Sequence, residues 1–134
     1  MLIRFFIASA VFFGALSSSP AYANSQINKP NRQAATTDEI NTYVNISVTT
    51  FCEARGHKID FKKSMSIAVA AQGYPIFAKH GGLVPGSEKP LEEKQFINNA
   101  VPIVMIGSLN ACPEMIPADE KAKFEKALSE AKRR

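Results

Sequence analysis

Tryptophan is absent from this chain, and cysteine and histidine occur only twice each. That scarcity removes much catalytic chemistry at once. A zinc site draws on several Cys, His or carboxylate ligands at set spacings, and no His-x-x-x-His or His-Glu pair occurs. No metal and no other cofactor is therefore expected. His57 lies in a Gly56–Lys58 connector and His80 just before two glycines, so both read as helix-end residues, a position the helix dipole favours for histidine. The phosphate-cradling patterns Gly-x-x-x-x-Gly-Lys and Gly-x-Gly-x-x-Gly are missing too. Gly107-Ser108-Leu109-Asn110-Ala111 lacks the second glycine of a nucleophile elbow, which removes a lipase reading of His80-Gly81-Gly82. Glu92 and Glu93 are adjacent and diverge on a helix, unlike the facing carboxylates of a glycosidase.

Charge of one sign is also lacking: 16 bases stand against 12 acids. Six of the bases crowd the C-terminus, but Asp119, Glu120, Glu125 and Glu130 are interleaved among them. Nucleic-acid binding calls for a clustered basic face, so no nucleic-acid partner is expected. No apolar run is long enough to span a bilayer, which takes about 20 residues. The longest, Phe5–Leu16, follows Arg4 and precedes Ala21-Tyr22-Ala23. A basic start, a short apolar stretch and a small-x-small site form the layout of a secretory signal peptide. Residues 1–23 are read as cleaved after Ala23, leaving an exported chain with no stable membrane anchor, bound for the periplasm, the medium or, in a cyanobacterium, the thylakoid lumen. Cleavage takes 23 of 134 residues and leaves 111, enough for one domain.

Two cysteines in an exported chain most often form one disulfide. Cys52 and Cys112 are read as that bridge, since neither a metal pair nor a catalytic thiol has supporting ligands nearby. A bridge closing a loop of about 60 residues stabilises by about 4 kcal/mol in the loop-entropy account. Residues 24–36 are polar and read as a disordered lead-in, with a single domain over 37–134. Thr36-x-x-Glu39 forms a capping box, after which Ile40, Tyr43, Val44, Val48, Phe51 and Cys52 recur at helical steps. A strand competes here, because Val44-Asn45-Ile46-Ser47-Val48 alternates and the run is rich in β-branched residues. Its one candidate partner, Val101–Ile106, carries Pro102, so the helix is preferred.

Asp60 suits the N-cap of a second helix with Phe61, Met65, Ala68, Val69 and Ile76 on one face, which Pro75 should kink or end near Gln72. Gly81 to Pro90 reads as a loop. A third helix from about Leu91 to Ala111 is apolar nearly all round from Ala100 to Ile106, a pattern that belongs at the centre of a bundle. Pro117 opens a last, charged helix with the narrow stripe Phe124, Ala127, Leu128 and Ala131. It is expected on the bundle surface and loosely docked. The fold class is thus all-α: a small three- to four-helix bundle stapled by Cys52–Cys112.

A binding surface, if present, is expected around Gly73–Pro90, where Tyr74, Phe77, His80, Leu83 and Val84 gather on and beside a loop. The plainer reading makes Tyr74 and Phe77 core and the loop a connector. Phe51-Cys52-Glu53-Ala54-Arg55, His80-Gly81-Gly82-Leu83-Val84-Pro85-Gly86 and Leu109-Asn110-Ala111-Cys112 together resemble small exported proteins of marine cyanobacteria over roughly residues 38–112. Some of those carry a class-II cyclic-AMP phosphodiesterase designation, but the His-x-His-x-Asp-His cluster of that class does not occur here. In layout alone the chain is similar to HdeA-type periplasmic acid chaperones, which are small, helical and singly bridged, with a charged helix after the second Cys. Three readings follow. The first is an exported helical binding protein without catalytic activity, whose partner is an unknown protein, a small apolar ligand or a second copy in a homodimer. The second is an acid-responsive chaperone. The third, a small hydrolase, requires His57 or His80 to find a carboxylate partner in space.

Overall fold

A computed structural model describes residues 32–133. The expected signal peptide, the first part of the lead-in (24–31) and Arg134 lie outside the described residues. Within them the chain forms four α-helices, α1 (Thr37–Gly56), α2 (Phe61–Ala78), α3 (Glu93–Ala111) and α4 (Ala118–Ala131), with a 3₁₀ turn at Pro113–Met115 and no strand. The disulfide joins Cys52 to Cys112 with Cα atoms 6.0 Å apart. The all-α, disulfide-stapled bundle is therefore the fold.

α1 is a helix despite its β-branched run because a capping box opens it and its apolar residues bury one helical stripe, while its hydroxyls are satisfied on their own backbone. Thr42 and Thr50 donate to the carbonyls of Asp38 and Ile46 at 2.8 Å, and Ser47 donates to Val44 at 2.7 Å. Such bonds occupy polar groups that would otherwise compete with helix formation. The Thr36–Glu39 capping box opens it, with both reciprocal bonds made. Tyr43, Ser47, Phe51 and Ala54 form the buried stripe, while Ile40, Val44, Val48 and Cys52 flank it half-buried.

α2 starts from Asp60, whose carboxylate accepts from the Lys63 amide. It does not end near Gln72, as its proline suggests, but runs through Pro75 to Ala78. A proline removes one amide and clashes with the carbonyl four residues back. One turn from the end of a helix that loss is tolerated, and the amides of Lys79 and His80 still bond to the Pro75 carbonyl. Gly81 and Gly82 then take positive φ and turn the chain out of the helix. The Leu91 amide bonds to the Gly82 carbonyl, so α3 begins at Glu93 rather than Leu91.

α1 packs along both α2 and α3, and one core holds Phe51, Met65, Ala68, Ile76, Phe96, Ala100 and Val104. Phe51 meets Phe61, and Phe77 meets Phe96, edge to face. Gly107 lets α3 close onto α1, since a Cβ there would drive into Val48. At the disulfide pole Arg55 donates to the carbonyls of Met115 and Ile59 at 2.8 and 2.6 Å, tying α1 to the 3₁₀ turn.

Two expectations are corrected. α3 is not enclosed by the bundle: Ile97, Val101, Ile103 and Ile106 stay 37–46% exposed, because α1 and α2 are the only helices against it and the 3₁₀ turn meets only its end. The last residues of the lead-in, 32–36, are placed against the bundle rather than loose. Ala35 is buried and its amide donates to the Leu83 carbonyl at 3.0 Å. α4 stands off the other helices and touches the core through half-buried Phe124.

Candidate functional site

Small residues on α2 decide where a surface site can form. Ser66, Ala70, Gly73 and Ala78 follow one another along the flank that faces α3, and they leave the two helices separated by an open groove of about 920 Å³. At Gly73 the missing side chain admits the Phe96 ring, whose Cε1 would lie 2.8 Å from any Cβ added there. Met65, Val69 and Phe77 from α2 and Phe96, Ile97 and Val101 from α3 supply apolar walls. The charged lining residues are Lys62 and Glu93. Phe96, in the first turn of α3, contacts Phe77 and Gly73 near the end of α2. The helices therefore run oppositely, with Glu93 at one end of the groove and Lys62 at the other.

The five residues expected to share a surface divide. Tyr74 and Phe77 line the groove, and Tyr74 is 77% exposed, which corrects its reading as core. Phe77 is half-buried against the core, and so is Val84. Leu83 is half-buried in the loop and gives its carbonyl to the Ala35 amide. His80 turns away from the groove altogether.

His80 is 3% exposed, and both ring nitrogens are engaged. Nδ1 lies 2.9 Å from the Gln33 carbonyl and Nε2 lies 3.0 Å from the Tyr43 hydroxyl. A carbonyl only accepts, so Nδ1 carries the proton and, in the neutral ring, Nε2 accepts from Tyr43 O–H. Glu39 Oε1 is 3.7 Å from Nε2, which is the carboxylate neighbour that the hydrolase reading requires. The geometry answers that requirement only in part, because the buried imidazole has no nitrogen left to face a substrate. His80 instead ties three segments together: the 32–36 strap, α1 and the end of α2. His57 is exposed, with Glu53 Oε2 4.0 Å away.

Beside this tie lies a smaller depression of about 400 Å³, lined by Arg32, Gln33, Thr36, Glu39, Lys79 and His80. The Lys79 ammonium, 2.5 Å from Glu39 Oε1, and the Thr36 amide hold the Glu39 carboxyl well below its ordinary 4.5, at about 2. The same contact raises Lys79. Among the described residues no group of three or more His, Cys, Asp or Glu side chains could hold a metal ion, and no helix is long and apolar enough to cross a membrane.

The groove residues Lys62, Met65, Val69, Phe96, Ile97 and Val101 were not legible as a site. The signal present in the sequence was the apolar excess of α3, which exceeds what one buried stripe needs. No curated protein and no solved structure is significantly similar to this chain. Residues 38–134, more than half of the chain, match the family described as a domain of unknown function, DUF8650, and the chain belongs to that family.

Proposed function

We propose that the protein is exported and works as a small helical binding protein without catalytic activity, taking an apolar partner in the α2–α3 groove. Export is supported by the signal-peptide pattern of residues 1–23 and by the disulfide, which persists in oxidising compartments. The observation that carries the binding reading is the groove itself. Its volume of about 920 Å³ falls in the range of ligand clefts, and it leaves Tyr74, Ile97 and Val101 open to solvent on a domain with little apolar surface to spare. An apolar fluorescent probe, 1-anilinonaphthalene-8-sulfonate, should bind the folded monomer saturably at one site, and Val101→Asp should weaken that binding at least tenfold. No saturable binding by the folded monomer would remove the reading.

One observation favours the acid-responsive chaperone as a second reading. α4 touches the bundle core through Phe124, and its first turn is held by Lys123 bonding Asp119 at 3.0 Å and Glu120 at 2.9 Å. Lys123 lowers the Asp119 carboxyl below its ordinary value, so protonation in acid would dissolve this ion pair and weaken the first turn of α4, the turn that leads from Ile116 to the Phe124 contact. Light scattering of an aggregating client near pH 2–3 tests it. Unchanged aggregation in the presence of the protein would rule it out.

A further inference from the structure

We propose that the occupant of the α2–α3 groove is helix α4 of a second copy of this chain, laid parallel to α2. The inference rests on the binding reading above and names its partner. Length is the first argument. From Lys62 to Phe77 the groove follows α2 for about 22 Å, and the 14 residues of α4 span about 21 Å at the same rise per residue.

Pattern is the second. Phe124, Ala127, Leu128 and Ala131 recur at i, i+3, i+4 and i+7, the spacing by which an amphipathic helix fills an apolar groove. Apart from Phe124 that stripe is exposed, Leu128 at 36%.

Charge fixes the direction. The groove has Lys62 at one end and Glu93 at the other. α4 opens with Asp119 and Glu120 and is followed by Lys132 and Arg133. Parallel to α2, the acidic start meets Lys62 and the basic end meets Glu93. The reverse direction would set acid on acid and base on base.

A second copy is the source because the chain's own α4 is badly placed to turn over. Pro117 alone separates Ala118 from Ile116, which is buried in the core, and in the exchange Phe124 leaves its half-buried place at the edge of its own core for the partner's groove. Reciprocal exchange of α4 between two copies gives a closed two-fold dimer in which each groove is filled once.

Sedimentation velocity on the oxidised chain tests the proposal, together with Leu128→Asp on α4 and Val101→Asp in the groove. Both side chains are exposed, at 36% and 37%, so the substitutions fall outside the packed core. The wild type should sediment at twice the monomer mass and each variant at the monomer mass. An equimolar mixture of the two variants should recover a 1:1 heterodimer, weaker than the wild type, because one intact helix then meets one intact groove. Ile103→Asp, on α3 but outside the groove lining, controls for nonspecific charge effects and should leave the dimer intact. If either variant loses its helical circular dichroism, a synthetic peptide of residues 118–133 replaces it and should dissociate the wild-type dimer. A dimer that survives both substitutions or the peptide, or variants that fail to complement, would overturn the proposal. So would a wild-type monomer at every concentration. In that case continued probe binding by the groove keeps the binding reading and discards only its partner. Loss of probe binding discards both. A monomer whose Leu128→Asp variant takes up more probe would show α4 covering its own groove, which also overturns the second-copy assignment.

Discussion

At the scale of single residues, the pole that carries the strap depends on two side chains. His80 serves two partners, the Tyr43 hydroxyl and the Gln33 carbonyl. His80→Ala removes the imidazole from both. Loss of the buried Tyr43 partner costs about 1–3 kcal/mol, and the exposed Gln33 carbonyl turns to water as the strap lifts, so the variant should be destabilised by about 1–3 kcal/mol. Hydrogen exchange at the Ala35 amide should quicken as the strap lifts. Full protection of that amide in the variant would show that the strap is held without the imidazole. Glu39 sets a pH dependence of definite sign. Its folded pKa of about 2 lies below its ordinary 4.5, so its contribution is complete above the ordinary value and is lost as pH falls towards and through about 2. Lys79 is raised, so its share is present below its ordinary 10.5 and lost as pH rises through the folded value. Glu39→Gln should flatten the stability profile between about pH 4.5 and 2, measured by urea unfolding across that window. The Thr36–Glu39 box was legible as a four-residue pattern. The Lys79 and His80 contacts were not, because about 40 residues separate them from Glu39, and only packing of α2 on α1 brings them together.

At the scale of helices, glycine marks the close approaches. Gly107→Ala improves intrinsic helix propensity by about 1 kcal/mol, yet its Cβ would collide with Val48, whose branched side chain has little freedom to move. Overpacking of that kind costs about 1–3 kcal/mol, so the substitution should lower the thermal midpoint despite the gain in propensity. A raised midpoint would mean that α1 and α3 can separate at no cost. The helices themselves were mostly legible, since capping signals and periodicity are local. The errors came where local rules compete with tertiary context. Pro75 sits close enough to the end of α2 for the helix to run through it, whereas α1 is the helix that its periodicity favoured over a strand. α3 reads as central because it is apolar nearly all round, yet two neighbours cannot enclose it.

For the whole molecule, the disulfide pole and α4 differ sharply in what they contribute. Removal of residues 118–134 deletes Phe124 from the edge of the core and nothing else from it. Partial burial of one aromatic is worth about 1–2 kcal/mol, against about 4 kcal/mol for the bridge. The truncated chain should therefore stay folded with a modestly lower midpoint by circular dichroism, while Cys52→Ser with Cys112→Ser should lower it far more. Unfolding of the truncated chain would mean that α4 supports the bundle more strongly than its single core contact suggests. An element that contributes so little to its own bundle is free to serve another surface, which is why α4 and the groove belong to one account.

The all-α class, the helix order, the capping of α1 and α2 and the Cys52–Cys112 bridge were determined by the sequence alone. Each depends on residues close in the chain or, for the bridge, on there being only two cysteines to pair. Tertiary structure decided the rest. It buried His80 at the end of α2, folded residues 32–36 onto the loop at Leu83, and exposed Tyr74. It also left one side of α3 uncovered to form the groove. Burial is set by how many neighbours surround a helix and how closely they approach, and the chain's local pattern carries no record of either.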